Sequence, residues 1–394
     1  VEPASSSLIE AMVGAFDSNL DAMTKSYVRD IAQGFPRMAV HGASAAQEGG
    51  NPIRNAEELI DRIVWGRRSA DAEALRALEV ASLFDALRIK GEAPTDLSTI
   101  ADTAMSEPRM REHLLSFAER GIVVQKGRFI QVQPIPLAAQ LGRRRLSVLG
   151  APAVARFFAD APPHLKSRLL DRLRWLDMSD EARAFATDLL SIAAIGARAV
   201  LDTEFGARCF DQLSHVVPDL AMSVLDRELG HLYIDELKSF SSGRRHVVWA
   251  LERLVFRRQT FDRAARLLLR LAAAETEPEI GNNATGEFKR LFQRDLSGTE
   301  AEPPARLAVL DEALASDHSS IRRIAIEAAG EMLETGHFSR FGSAEVIGSQ
   351  APLQDWCPKT WGEVSDFHMA GVERLASIAI AAGQDADIAR GLIA

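Results

Sequence analysis

Apolar residues recur every three or four positions along almost the whole chain, in stretches rich in Ala, Leu, Arg and Glu. This spacing places apolar side chains on one face of a helix, so the pattern predicts helices over most of the sequence. Alternation of apolar and polar residues, which is typical of a strand, occurs only in residues 122–125 and 129–132, on either side of Gly127. The sequence therefore predicts a nearly all-α fold with one small β-hairpin.

The N-terminal region, residues 1–68, carries two helical patterns. One covers residues 7–35 with an interruption, and the other covers residues 55–65. Residues 42–51 lie between them and are small or polar, a composition that favours an exposed loop. We therefore expect residues 1–68 to form a short helical segment.

Residues 69–146 show a definite order of elements. Apolar residues at helical spacing predict a first helix over residues 71–89. Thr95 is suited to cap a short second helix, and Ser106 is suited to begin a third. The hairpin follows directly. Three helices and a two-stranded wing are the parts of a winged-helix domain, which we expect here.

The rest of the chain, residues 147–394, is a succession of helical patterns with short gaps. The clearest pairs are residues 244–256 with 260–275 and residues 303–315 with 319–334. The sequence shows no strict repeat period. It therefore predicts an irregular helical-repeat array of the HEAT or TPR kind, with a compact helical bundle as the alternative.

Charge bears on the partners of the protein. The 394 residues contain 46 Lys and Arg against 55 Asp and Glu, which gives a net charge of −9 and excludes a polyanion binder along the whole chain. The winged-helix region holds eleven basic against ten acidic residues, and its third helix interleaves Arg109 and Arg111 with glutamates. Such a balanced face is typical of protein packing, so nucleic acid is not an expected partner.

Several kinds of site find no support in the sequence. Cys209 and Cys357 lie too far apart to indicate a disulfide framework or a four-cysteine zinc site, and a reducing, cytoplasmic location follows. The nine histidines lack ligand spacing, so no metal is expected. No stretch predicts a membrane span or a signal peptide. Because the chain begins with Val1, we expect a fragment or a processed product.

No catalytic residues are expected either. Residues 281–286 (GNNATG) have the spacing of a phosphate loop, but Glu287 and Phe288 stand where a Walker A motif has Lys and Ser or Thr. Asn282 and Asn283 are better interpreted as turn residues that cap the next helix.

Two features indicate a partner-binding surface. Residues 244–270 carry a net charge of +6 and residues 271–320 a net charge of −6. One interpretation is that salt bridges join neighbouring helix pairs. The other is a binding face with Arg244, Arg245 and Trp249.

The second feature is the non-helical tail stretch DWCPKTW, which contains Trp356 and Trp361. These two tryptophans either close the end of the array as an apolar plug or form a docking surface.

Several segments of the sequence resemble those of a known protein family. Residues 30–40 (DIAQGFPRMAV) contain the Gly-x-Pro pattern found in the lid of STAND NTPases. Residues 244–272, 281–292 and 296–314 are similar to segments of large bacterial proteins of this type. These segments and the order of the three regions together make the chain resemble the carboxyl-terminal part of a bacterial STAND NTPase of the NLR-like antiphage kind.

The resemblance implies a ligand-sensing and signal-relay function in antiviral defence. The repeats would bind a protein ligand, the protein would oligomerise on activation, and Gly34 and Pro36 would contact adenine. The sequence has no Walker A or Walker B motif, so we expect no enzyme activity and no cofactor in this chain. The resemblance implies an NTPase core upstream of this chain, where ATP or ADP would bind. It also implies an effector upstream.

Two other interpretations stay open. The chain could be a winged-helix transcription regulator with a helical ligand-binding region. It could also be a passive helical scaffold.

Overall fold

The computed structural model describes residues 4–48, 53–91, 94–101, 105–176, 179–191, 194–336 and 353–394. Helices hold 65% of the residues and strands 3%, which confirms the predicted all-α class. The described residues form two compact units, one up to residue 185 and one from residue 186 onward. The predicted boundaries at residues 68 and 146 both fall inside the first unit, and they stay predictions.

Four helices open the first unit. They are α1 (Ser6–Phe16), α2 (Ala22–Ala32), α3 (Pro36–Glu48) and α4 (Ala56–Trp65). The side chains of Ser5, Asp21 and Asn55 accept backbone N–H groups at the starts of α1, α2 and α4. These N-caps set the start of each helix, because the first N–H groups of a helix have no partner within it. The helical patterns of residues 7–35 and 55–65 are thus confirmed.

The expected loop at residues 42–51 is wrong for its described part. Residues 42–48 belong to α3, and Gly42, Ala43, Ala45 and Ala46 are buried. A Cβ atom added at Gly42 would lie 3.1 Å from Cγ1 of Val28, so the small residues let α3 approach α2 closely. A small-residue composition has here produced close helix packing instead of a turn. Residues 49–51 lie outside the described residues.

The next elements are three helices and three short strands. They are α5 (Ala72–Ala81), β1 (Leu87–Arg88), α6 (Asp96–Ile100), α7 (Glu107–Ser116), β2 (Val123–Lys126) and β3 (Phe129–Val132). The strands form an antiparallel sheet in the order β1-β3-β2. The hairpin is confirmed, and Gly127 turns it with a φ of +59°.

The predicted helix over residues 71–89 ends early, at Ala81. The Ser82 hydroxyl donates to the carbonyl of Leu78 at 2.7 Å, and Leu87 then pairs with Ile130 in the sheet. Leu87 is buried in the sheet. A buried apolar residue suits the inner face of either a helix or a strand, so its spacing could not distinguish the two. The partner strand lies more than forty residues later in the sequence, beyond the reach of local periodicity.

The first unit continues with helices α8 (Ile135–Leu149), α9 (Ala151–Asp160) and α10 (Pro163–Leu173), and α11 (Asp180–Leu189) follows. Asp96, at the start of α6, is 1% exposed and connects three elements. Its carboxylate accepts the backbone N–H of Arg88 at 2.7 Å and pairs with His164 and Arg168 of α10. One buried carboxylate therefore joins α6, β1 and α10.

The second unit contains eleven helices in its described part. They are α12 (Arg198–Leu201), α13 (Glu204–Ser214), α14 (Pro218–Leu229), α15 (Ile234–Ser239), α16 (Arg244–Phe256), α17 (Phe261–Ala273), α18 (Ala284–Arg290), α19 (Pro303–Leu314), α20 (Ser319–Glu331), α21 (Trp361–Ala379) and α22 (Gln384–Ile393). The predicted pairs α16 with α17 and α19 with α20 are confirmed, and each pair packs together. Successive pairs also contact each other, since α13 packs on α16 and α17 packs on α20.

Arginine side chains reach the carbonyl ends of neighbouring helices. Arg244 donates to the carbonyls of Leu271 and Ala274 at the end of α17, at 2.5 and 2.8 Å. Arg306 donates to the carbonyls of Leu291 and Gln293 just after α18, at 2.8 and 2.9 Å. The last carbonyls of a helix have no hydrogen-bond donor within that helix. A guanidinium carries five N–H donors and can bond several carbonyls at once.

The first unit uses the same contact. The buried Arg172 donates to the carbonyl of Phe84 after α5, and burial lowers its pKa to about 10. Arg120 donates to the carbonyls of Ile63 and Val64 at the end of α4. None of the described helices has the length and apolar character needed to cross a membrane.

Replacing Asp96 with Ala is expected to lower the free energy of unfolding by about 3 kcal/mol, because Arg168 and the Arg88 N–H then lose their buried partner. Urea unfolding followed by circular dichroism measures the change. Asp160, an exposed carboxylate at the end of α9, is the matched control, and Asp160→Ala should leave the midpoint nearly unchanged. Equal midpoints for the two variants would contradict the structural role given to Asp96.

Candidate partner-binding surface

Arg244, one of the predicted partner-binding residues, is fully buried. Besides the end of α17, its guanidinium donates to the carbonyl of Leu237 at 3.0 Å and lies 3.8 Å from the Glu275 carboxylate. It therefore offers no surface to a partner, and the structure corrects that expectation. The reason is its place at the first position of α16, directly beside the end of the antiparallel α17.

Arg245 and Trp249 lie on the same helix in different surroundings. The Arg245 side chain is half exposed and pairs with Glu277 at 3.2 Å. Trp249 is half-buried, and its ring meets that of His246 edge to face, with centroids 5.1 Å apart. Of the three residues predicted in this block, Arg245 is thus the most accessible, while Trp249 packs within the unit.

Three further arginines of residues 244–270 favour the salt-bridge interpretation. Arg253 pairs with Asp211 of α13. Arg263 of α17 pairs with Asp226 of α14 at 2.5 Å, and Arg266 pairs with Glu312 of α19 at 2.8 Å. These ion pairs connect consecutive helix pairs, so the positive block is largely neutralised inside the unit.

The two tail tryptophans have separate roles in the fold. Trp356 is half-buried, and its backbone N–H donates to the carbonyl of Thr299 at 2.8 Å. Its ring stacks on that of Phe367, with the ring centroids 6.1 Å apart. Trp361 begins α21 and is 87% exposed. Trp356 therefore packs as the apolar plug interpretation requires, and Trp361 is the one left on the surface.

Arg306 lies beneath the Trp356 and Phe367 rings. Its guanidinium carbon is 5.1 Å from the first ring centroid and 4.9 Å from the second, which is the range of a cation–π contact. Burial lowers the pKa of Arg306 to about 9, and the attraction of the Asp355 carboxylate opposes that shift. The buried charge is thus held by two carbonyls and two aromatic rings.

Above these rings, a groove of about 430 Å³ opens between α19 and α21. Apolar residues line it, among them Pro303, Leu307, Trp356, Phe367 and Ala370. We call this feature the Trp356 groove. Its size is that of a small-ligand or side-chain pocket, and its aromatic lining is typical of binding sites.

Charged side chains complete the lining of the groove: Glu302, Lys359, Glu363 and Asp366. All four are exposed. Glu363 accepts the backbone N–H of Lys359 at 2.6 Å, and this contact fixes the turn into α21.

The walls of the groove are held in place on both sides. Arg374 of α21 makes a bidentate pair with Asp311 of α19, at 2.6 and 2.7 Å. Asp355 accepts the backbone N–H of Gly298 at 2.5 Å and so holds the segment that carries Trp356. The groove is therefore preformed, without a partner to order it.

Sequence reasoning missed Arg306 and Phe367. A signal for Arg306 was present, because it shares one helical face with Val309, Leu310 and Ala313, which are all buried. A cation on such a face is buried with it. No local signal could place Phe367 beside Trp356.

Gly34 and Pro36 lie at the turn between α2 and α3. Gly34 has a φ of +78°, and its carbonyl accepts the N–H of Ala4 at 2.7 Å. Pro36 is exposed and begins α3, a position that suits its fixed φ. Both residues thus have a local role, and their contact with adenine stays a prediction.

Other predicted features can be located. Asn283 caps α18 as expected, since its side chain accepts the Gly286 N–H at 2.8 Å. Within the described ranges, no three His, Cys, Asp or Glu side chains are grouped so as to hold a metal ion. Comparison with protein-family descriptions, curated proteins and solved structures gives no match for this chain.

The two tail tryptophans give a matched pair of variants. Trp356→Ala should lower the free energy of unfolding by about 2 kcal/mol, because it removes ring contacts with Arg306 and Phe367. Trp361→Ala should change the free energy of unfolding by less than about 0.5 kcal/mol, because this exposed side chain makes few contacts. Chemical denaturation of both variants measures the difference, and similar losses would contradict the packing described for Trp356.

Acidification is expected to destabilise the unit through His246. Burial, followed by the charge of Arg208, holds the pKa of His246 below its usual range. The unfolded chain then binds the proton first, so the free energy of unfolding falls as the pH drops below about 6.5.

Urea midpoints measured from about pH 7 to about pH 5 should therefore fall less steeply for His246→Gln than for the wild type. His318→Gln, at an exposed position, is the control and should follow the wild type. An unchanged slope in His246→Gln would contradict this role.

Proposed function

We propose that the chain is the ligand-sensing and signal-relay portion of a STAND-type ATPase, and that its second unit binds a protein ligand. The Trp356 groove carries the proposal, because it is a preformed aromatic site on the surface of packed helix pairs. Exposed aromatic and charged groups around a fixed pocket are typical of protein-binding sites. The half-exposed Arg245 and the exposed Trp361 would extend the contact surface.

The first unit has the relay role in this proposal. Within this unit, the order of α5, β1, α6, α7 and the hairpin supports the proposed winged-helix domain. On α7, the third helix of the proposed winged-helix region, Arg111 pairs with Glu107 at 2.8 Å and also donates to the carbonyl of Ile89, while Arg109 lies 3.4 Å from Glu73. Because these two arginines already pair with carboxylates of the protein, they favour a helix that packs against protein over one that binds phosphates.

Nucleotide binding belongs to a longer parent protein in this proposal. An NTPase core and an effector would lie upstream of this sequence, and residues 30–40 would form part of the lid over ATP or ADP. The parent would act in the cytoplasm, in antiviral defence, and would oligomerise after it binds its ligand. Hydrolysis of ATP by the purified 394-residue chain would contradict this assignment.

The order of elements in the first unit also favours a second candidate, a winged-helix transcription regulator with a helical ligand-binding region. Tight, salt-sensitive binding of duplex DNA that is lost in an Arg109→Ala/Arg111→Ala variant would support it. The leading proposal expects no such binding.

Selection of random peptides displayed on phage tests the proposed function without knowledge of the ligand. The full chain should enrich peptides whose binding is lost in Ala370→Phe, because the added ring fills the Trp356 groove. Ser377→Phe places the same ring on an exposed part of α21 outside the groove and should leave binding unchanged.

Two outcomes would contradict the proposal. One is that no peptide is enriched on the folded chain. The other is that the enriched peptides bind wild type and Ala370→Phe equally, which would leave the groove without a role.

A further inference from the structure

The charges at the mouth of the Trp356 groove are strongly unequal. Glu302 lies at the start of α19, and Glu363 and Asp366 lie on the first turns of α21. Among the described residues that line the groove, Lys359 is the one cation against these three carboxylates. An apolar groove edged mainly by carboxylates attracts cations and repels anions, because charge pairs near an apolar wall are less screened than in bulk water.

We infer that the Trp356 groove binds a basic segment of a protein partner, in which an apolar side chain is flanked by Lys or Arg. The inference rests on the proposed function and names the chemistry of its ligand. The apolar side chain fills the space between Leu307 and Phe367, and the flanking cations pair with Glu302 and Asp366.

The neighbouring charges agree with a cationic ligand. Asp311 and Arg374 already neutralise each other farther along α19 and α21, so they add no net charge to the groove. Arg306 lies on the inner side of the Trp356 ring, where it is buried and attracted to Asp355. The surface that a ligand meets is therefore set by Glu302, Glu363, Asp366 and Lys359.

The aromatic floor adds to the selectivity. The face of a tryptophan ring attracts aliphatic stems and cationic heads, and Lys and Arg side chains provide both. Since the walls are fixed before binding, a ligand does not have to order them, and a short segment suffices. An acidic segment of the same apolar content would meet three like charges.

Three labelled peptides that differ only in charge test the inference on the full chain. They share the core Leu-Trp-Leu and carry two Lys, two Ser or two Glu residues on each side. Fluorescence anisotropy should show about tenfold tighter binding of the Lys peptide than of the Ser peptide, and added salt should reduce this difference. The Glu peptide should bind most weakly.

Charge reversal assigns the effect to the groove. Glu302→Lys/Asp366→Lys should remove the preference for the Lys peptide and improve binding of the Glu peptide. The control is Glu373→Lys, an exposed carboxylate on α21 that does not line the groove, and it should keep the preference. Circular dichroism establishes that each variant is folded.

Different failures have different meanings. If the Ser and Lys peptides bind equally and both are blocked by Ala370→Phe, the basic ligand is wrong while the proposed function stands. If no peptide depends on the groove, both fail. Self-association of the chain that Ala370→Phe abolishes would show that a second copy occupies the groove, and it would overturn the inference.

Discussion

Buried guanidinium groups bond the carbonyl ends of neighbouring helices, and the packing of both units depends on these bonds. A helix leaves its last carbonyls without partners, and burying them unpaired costs free energy. Arg244 satisfies such carbonyls at the end of α17, and Arg172 and Arg306 donate to carbonyls in the segments that follow α5 and α18. Each contact fixes where one helix ends relative to the next. For Arg244 and Arg306, hydrogen bonds to more than one carbonyl offset the cost of burying the cation.

The candidate site follows from this constraint. Arg306 bonds the residues after α18 and at the same time supports the rings of Trp356 and Phe367. The Trp356 groove is therefore joined to the helix pairs beneath it through Arg306. Arg306 therefore stabilises the fold and also positions the aromatic rings that line the groove. The carboxylates at the mouth of the groove give this surface its negative charge.

Local chemistry made part of this structure predictable. The cap at Asn283 and the turn at Gly127 were readable because each acts within a few residues. Long-range partners were not readable. Leu87 was predicted in a helix, but it lies in a strand that pairs with the distant β3. Arg244 looked like a surface charge, because periodicity shows which face of a helix is buried and does not show which carbonyls lie within reach of a long side chain.

Amide hydrogen exchange of the full chain after Arg306→Lys tests the central claim most directly, that the buried Arg306 guanidinium supports the aromatic rings of the Trp356 groove. Lysine keeps the charge but cannot span two carbonyls and both rings in the same way. The account predicts faster exchange at the Trp356 amide and around the end of α18, with the first unit unchanged. Unchanged exchange at Trp356 in a folded variant would contradict it.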